Sequence, residues 1–516
     1  MVRRAWVVAA AVGALALTSC SAPTDPAAAS ADAGIVLADG HELGGYNPVA
    51  GFGSAGEAKM YDGLLRLDGA PGLPGFEPAL AAEVPTPNAD ATVWTVPLRE
   101  GVTFSDGSTF EAADVVATYE AIEDPASASE VRSSFDMITS VVELDPHTVE
   151  FRLAHPYAAF ETKLLIGIAA SEALAEPGLA AESELNTAPV GTGPYKLVDL
   201  TPDRAVFEAN EDYWDGAPEV KKLTLLYVPD DNTRAQRMAS GEIDGTTLPP
   251  VLARTFDNRE AMTVSANTSA DWRGVSMPTD NPVSGDPAVR MALNLAADRA
   301  SMVDNVLAGY GREAATPMPD AYGDAYEPEA VFAYDPAEAE RLLSEAGWID
   351  GSDGIRSRDG IRAEFTVMYN SADTVRRDLA QAFASDALAV GIEVNLEALS
   401  WDRIDPRISY DSTLMGGGSE PYDPDTQAYN ALHSVFLEPG VGSIYDNASD
   451  YSNPAVDSAL ETGRRSLDPA QRSAAYRDMQ RAYVAVSEPP VLMIPGHILE
   501  PQTAGGTRCR WSSLLP

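Results

Sequence analysis

Apolar and polar residues alternate with a period of two at Trp94, Val96 and Leu98 against Thr95, Pro97 and Arg99, the pattern of a half-buried strand. The period then changes. Val115, Tyr119 and Ile122 recur at helical spacing and mark one apolar stripe. Between the two lies Ser105-Asp106-Gly107, where Asp can bond its own backbone and Gly accepts positive φ, so a turn is expected. Glu111 and Asp114 place acid at the positive end of the helix dipole. Trp94–Ile122 is therefore a strand-turn-helix.

The same reading places a first strand at Ile35–Leu37, a hairpin from Val141–Asp145 to Thr148–Leu153 across Pro146-His147, a helix over Phe160–Leu174 and a strand over Leu223–Val228. Asp335 is expected to cap a helix running through Leu343. Glu364–Met368 reads as strand, Val375–Val390 as helix and Ile392–Leu399 as strand. That βαβ order implies a parallel sheet and an α/β chain. No internal repeat is apparent.

A length of 516 residues suggests roughly three domains. With 45% hydrophobic and 22% charged residues the chain is expected to pack rather than remain disordered. Its net charge of −43 would repel phosphates, which excludes nucleic acid as a partner. The acid excess reads as a solvated surface, either of an exported protein or of one adapted to salt. The five histidines (His41, His147, His155, His433, His497) and two cysteines (Cys20, Cys509) show no metal-ligand spacing, so no metal site is expected. Asp350-Gly351-Ser352-Asp353-Gly354 lacks the alternating oxygens and distal Glu of a calcium loop and reads as an acidic turn. Gly51–Gly56 matches G-x-G-x-x-G but follows Asn47-Pro48 rather than a strand, so no dinucleotide is expected there. There is no G-x-S-x-G, no H-E-x-x-H and no nucleophilic cysteine context. No catalytic residue or cofactor is called for, and the chain reads as non-enzymatic. A secreted hydrolase using a carboxylate pair, and a surface sensor or adhesin, are the alternatives of other classes.

The N-terminus bears on location. Arg3-Arg4, the apolar run Ala5–Leu17 and the small residues before Cys20 describe a signal peptide over residues 1–19, too short to span a bilayer as a helix. Leu17-Thr18-Ser19-Cys20 resembles the bacterial lipobox, which implies a lipid on Cys20 and anchoring at the outer face of the cell membrane. Ser21–Gly34, rich in Ala, Pro, Ser and Asp, reads as a tether. Cys509 is then left without a disulfide partner. No other segment could span the membrane, so any transport role would be that of a receptor for a separate permease.

Several segments in order resemble the family 5 extracellular solute-binding proteins, the peptide and nickel receptors of ABC importers. Phe104, Asp106, Gly107, Phe110, Ala112, Asp114 and Val115 fit the family's F-x-D-G-x-x-[FL]-x-A-x-D-V segment. Gly191-Thr192-Gly193-Pro194-Tyr195 fits its G-T-G-P-Y turn, where glycine is expected to supply unusual backbone angles. Asn47-Pro48, a helix at Lys59–Leu65, Glu77–Ala81, Asn210–Trp214, Arg234–Asp244, Pro287–Asn294 and Asp298-Arg299 extend the likeness across most of Ile35–Pro495. The resemblance implies a two-lobed protein hinged around a cleft. Domain I would comprise residues 35–75, 187–265 and 490–516, an inserted domain II residues 76–186, and domain III residues 266–489. The partners implied are a short peptide or metal-chelate ligand, a permease and an ATPase, with the receptor a monomer held to the membrane by its lipid alone.

Specificity is expected in Met415–His433, MGGGSEPYDPDTQAYNALH, read as a loop lining the cleft because its glycine run cannot form a stable helix interior. The resemblance sends two messages there. Glu420 falls where peptide-binding members hold an α-ammonium, whereas Tyr422 and Asp423, within Pro-Tyr-Asp-Pro, fit the nickel-chelate branch better. His433 lies where that branch carries a metal-contacting histidine, at a different spacing. Arg132 and Phe135 resemble an arginine and an aromatic that face the chelate, although the branch's second arginine has no counterpart in Leu164–Ser171. Arg132 would equally suit a peptide carboxylate. Tyr46 and Phe52, on either side of Asn47-Pro48, complete the expected lining. Peptide is the first reading and nickel or another metal chelate the second.

Overall fold

A computed structural model describes residues 34–56, 59–68, 74–176, 178–266, 270–417, 423–439, 441–485, 491–494 and 501–505. The signal peptide, Cys20, the tether, Glu420, Tyr422 and Cys509 lie outside the described residues.

Two mixed sheets organise the molecule. In the first, Ile35–Asp39 lies between Gly245–Thr247 and Lys222–Tyr227 and runs parallel to both. Arg204–Ala209 and Tyr195–Thr201 extend it antiparallel on one side, and Pro501–Gly505 and Met262–Ala266 on the other. In the second sheet Glu364–Asn370 pairs in parallel with Glu393–Leu399, in the register Phe365 to Val394 and Val367 to Leu396. The helix Thr374–Ala389 connects them, so the expected βαβ unit is present. Ser412–Gly417, Trp272–Ser276 and Val491–Ile494 complete this sheet. The chain passes between the sheets twice, from Ala266 to Trp272 and from Ile494 to Pro501, which leaves two lobes joined by two crossings. Among the described residues of 490–516, Val491–Ile494 pairs with Trp272–Ser276 and Pro501–Gly505 with the first sheet.

Between the first strands and the G-T-G-P-Y turn stands an antiparallel sheet of Val93–Pro97, Thr148–Leu153 and Ile138–Asp145, backed by the helix Ala112–Glu123. The predicted stripe is the packing face, since Val115, Tyr119 and Ile122 are fully buried with Phe104, Phe110 and Phe151. Asp114 bonds the Glu111 amide at 2.8 Å and closes a capping box. It also accepts from the Ser171 amide, and burial pushes its carboxyl up.

Three expectations are corrected. Residues 59–64 form no helix. They carry no regular structure, and Gly63 passes so close to Leu164 and Leu165 that a Cβ would lie 2.5 Å from the Leu165 carbonyl oxygen. Phe160–Leu174 is two short 3-10 turns, Phe160–Leu164 and Ser171–Leu174, separated by extended residues. The glycines of the G-T-G-P-Y turn are needed for close approach rather than for positive φ: a Cβ on Gly191 would stand 2.1 Å from the Met60 carbonyl oxygen, and one on Gly193 2.5 Å from the Met60 carbonyl carbon.

Candidate functional site

The glycine run begins as strand. Met415, Gly416 and Gly417 finish Ser412–Gly417, paired with Gly274, Arg273 and Trp272. Glycine is required there by its neighbours, because a Cβ on Gly416 would lie 2.7 Å from Arg273 Nη1 and 3.0 Å from Arg376 Nη2. One on Gly417 would lie 2.6 Å from Trp272 Nε1 and 3.1 Å from Gln427 Oε1. Two guanidinium groups, an indole and an amide therefore converge on the edge from which residues 418–422 depart.

The charges at this edge are nearly balanced. Arg273 pairs with Asp271, and Arg376 pairs at 2.6 Å with Asp373, the cap of its own helix. Burial pushes the Asp271 carboxyl up against the pull of Arg273. Burial and the like charge of Arg273 both depress the Arg376 guanidinium. Arg376 also lies over Trp401, 5.7 Å from the ring, and Trp401 meets Tyr445 edge-on. Arg376 Nε and Trp272 Nε1 are buried and have no hydrogen-bond partner among the described residues. Buried donors are normally satisfied, so an acceptor from beyond the described residues has a place here.

Beyond residue 422 the chain becomes helical, which narrows the expected loop. Asp423 caps Pro424–Leu432 through the Asp425 amide at 2.8 Å and is ion-paired with Arg472. Asp425, fully buried, holds Arg464 by both carboxylate oxygens. His433 ends this helix, 8% exposed and stacked on Tyr429 with ring centroids 4.3 Å apart. Its Nδ1 accepts from the Val435 amide at 2.9 Å, and its Nε2 lies 3.4 Å from Glu461. The structure thus places His433 inside lobe packing, with both ring nitrogens facing protein groups.

Arg132 is exposed on a short 3-10 turn, Arg132–Ser134, and donates to the Glu123 carbonyl at 2.9 Å. Phe135 is buried edge-on to Tyr119, with the Lys163 ammonium 5.6 Å from its ring. Phe135 and Lys163 line a small cavity with Ser54, Val131, Ser134 and Thr162. The Phe52 loop borders it, since Gly51 sits against Val131. Tyr46 is buried edge-on to Phe52 and Phe207, with centroids at 5.1 and 6.1 Å, in the core beneath the first sheet. Burial pushes its hydroxyl up.

The structure therefore brings Arg132, Phe135 and the Phe52 loop to one side and Asp423 to the other. The strip Tyr157–Lys163 runs between them, with Lys163 on Phe135 and Glu161 close enough to Asp423 and Arg472 to feel both charges. Tyr46 and His433 stand in separate cores. Sequence reasoning missed Trp272, Arg273 and Arg376, and gave Gln427, within Met415–His433, no role of its own. The only signal for them was the glycine run, which shows that something large approaches and not what. Among the described residues no group of three or more His, Cys, Asp or Glu side chains is placed to hold a metal ion, and no helix is long and apolar enough to cross a membrane.

Residues 75–436 match the sequence profile of the bacterial extracellular solute-binding proteins, family 5. Protein XP55 of Streptomyces lividans is 42% identical over 488 residues, 93% of this chain and 87% of that one. The oligopeptide-binding protein AppA of Bacillus subtilis is 27% identical, over 75% of this chain and 72% of its own. Among solved structures, NikZ of Campylobacter jejuni in complex with Ni(L-His) superposes with a TM-score of 0.82 at 28% identity, covering 92% of this chain and 94% of that one.

Proposed function

The chain belongs to the family 5 bacterial extracellular solute-binding proteins, and we propose that it is the receptor of an ABC importer that captures short peptides and delivers them to a membrane permease. Its homologues are solute-binding receptors rather than enzymes. The observation that carries the peptide reading is the edge at Gly416 and Gly417. There Arg273 and Arg376 converge, and buried donors on Arg376 and Trp272 lack acceptors among the described residues, the strand ending at Gly417 three residues before Glu420 in sequence. A zwitterion suits such a place, its carboxylate taken by a guanidinium fork and its ammonium by Glu420, Tyr422 flanking it. The 27% identity to an oligopeptide-binding protein supports the same reading. Arg132, Phe135, Phe52 and Asp423, on either side of the strip Tyr157–Lys163, are proposed to border the ligand. Tyr46 and His433 would support that border from within their cores.

A metal chelate such as nickel with histidine is the second reading, favoured by the likeness to a structure holding Ni(L-His). In either case we propose that Cys20 carries a lipid after removal of residues 1–19 and holds a monomeric receptor to the outer face of the membrane.

A thermal-shift screen with di- to pentapeptides and with nickel plus histidine tests the choice. Stabilisation follows RT ln(1 + [L]/Kd), about 2.7 kcal/mol at a hundredfold excess over Kd, so a true ligand raises the melting point with concentration. Peptides are expected to do so, and Glu420→Gln to weaken them about tenfold or more while sparing a chelate. Inert peptides beside stabilisation by nickel–histidine would replace the first reading with the second.

A further inference from the structure

The inserted domain meets the second lobe through a contact whose two halves are built differently. On the lobe side, Arg464 is held bidentately by Asp425 and lies 3.1 Å from the centroid of the Tyr429 ring. On the inserted-domain side, Tyr157 packs in its own core with its ring 5.4 Å from the same guanidinium. The Ala158 amide donates to the Arg464 carbonyl at 2.8 Å, and burial with the nearby Asp425 charge pushes the Tyr157 hydroxyl up. The guanidinium thus lies between two tyrosine rings, one from each side. Next to it, the half-buried Glu161 lies near the Asp423–Arg472 pair.

The division of charge indicates what this contact can do. If the inserted domain withdrew, Asp425 and Arg464 would remain paired within the lobe, as would Asp423 and Arg472. The ring face and the Ala158 amide bond would be lost. A buried ion pair split by opening would leave two uncompensated charges and lock the halves together. Here neither ion pair is split, which favours a reversible contact. It also stands beside the proposed recognition loop, since Asp423 directly follows residues 418–422 and Asp425 comes two positions later.

We infer that Tyr157 and Ala158, seated on Arg464 and Asp425, form a reversible latch that holds the cleft closed over its ligand. This rests on the reading of residues 418–422 as a ligand-contacting loop. Tyr157 is then a positioning residue: it touches no ligand and acts on how long one is held.

Arg464 is a poor test, because its removal leaves the buried Asp425 carboxylate unpaired. Tyr157 is the separable half. Spin labels at Leu144→Cys on the inserted domain and Leu388→Cys on the second lobe, both exposed in the wild type, would report the distance between the two in a Cys20→Ser, Cys509→Ser background. The closed fraction is read without additions, with trialanine and with nickel–histidine. Tyr157→Leu, which removes the ring face beside Arg464, is expected to lower the ratio of closed to open molecules about fivefold, and Tyr157→Phe, which keeps the ring, to lower it less. Dissociation of a bound probe should quicken by the same factor with its association rate unchanged, and the helix content by circular dichroism should match the wild type. An unchanged closed fraction in both variants, or a wild type that is never closed under the three conditions, would overturn the latch. Failure of the ligand reading is told apart, because it shows as an unmoved wild-type melting point with trialanine and with nickel–histidine.

Discussion

At the scale of single residues, what was legible was chemistry that acts on its own neighbours. Asp106 accepts from the Ser108 amide at 2.9 Å and Gly107 adopts φ 92°, as the turn required. Gly191 and Gly193 were legible as special, but the reason was not, because close approach to Met60 is set by residues 130 positions away. Asp62 shows the same limit. It is buried under Thr192 at 3.0 Å, Tyr213 at 2.9 Å and Trp214 at 2.9 Å, partners drawn from two of the recognised motifs and invisible as partners in sequence. The close approach makes a direct prediction. Gly191→Ala must push the backbone of Met60 away, so it should cost about 3 kcal/mol or more in urea unfolding, well above the roughly 1 kcal/mol of an ordinary substitution. A cost near 1 kcal/mol would mean that the turn yields easily and the contact with Met60 is not a constraint.

At the scale of elements, caps and stripes were read well because both are local. Asp335 accepts from Glu338 N at 3.0 Å and starts its helix as expected. The failures came where tertiary contact overrode local pattern, at Lys59–Leu65 and Phe160–Leu174, both pressed against each other's backbone through Gly63. The expected loop at Met415–His433 proved to be the end of a strand, an undescribed stretch and a capped helix, since Pro424 is well suited to a first helical turn behind Asp423. The helix Pro454–Arg465 is joined to this one through Glu461. Hydrogen bonding from His433 draws that carboxyl down, with Tyr429 and Arg465 adding to it against the opposing effect of burial, from 4.5 to about 2. A depressed carboxyl stabilises above its unfolded value, and the contribution is lost as pH falls through the folded one. Glu461→Gln should therefore lower the melting point at neutral pH, by about 1 kcal/mol equivalent given its partial exposure. The gap to the wild type should close between pH 4.5 and pH 2. A gap that stays constant over that window would show that the carboxylate's charge contributes nothing to the junction.

At the scale of the whole molecule, the α/β class and the parallel unit were legible from the order of elements, and the family from motifs that specify scaffold. Trp94–Ile122, the strongest of these, folds into the core beside the three-stranded antiparallel sheet and meets the expected ligand residue Phe135 through Tyr119. The cleft edge was not legible, because Trp272, Arg273, Arg376 and Gln427 come from three separate elements and meet only when the second sheet and its helices assemble. Two crossings between sheets are the kind of connection about which two lobes can hinge. The central claim is that this enclosure serves a short peptide. Native mass spectrometry of the purified protein, incubated with an equimolar mixture of di- to pentapeptides and with nickel plus histidine, tests it in one spectrum. The account predicts a single added mass equal to one peptide, lost in Glu420→Gln. An added mass of nickel with histidine and no peptide, or no added mass at all, would contradict it.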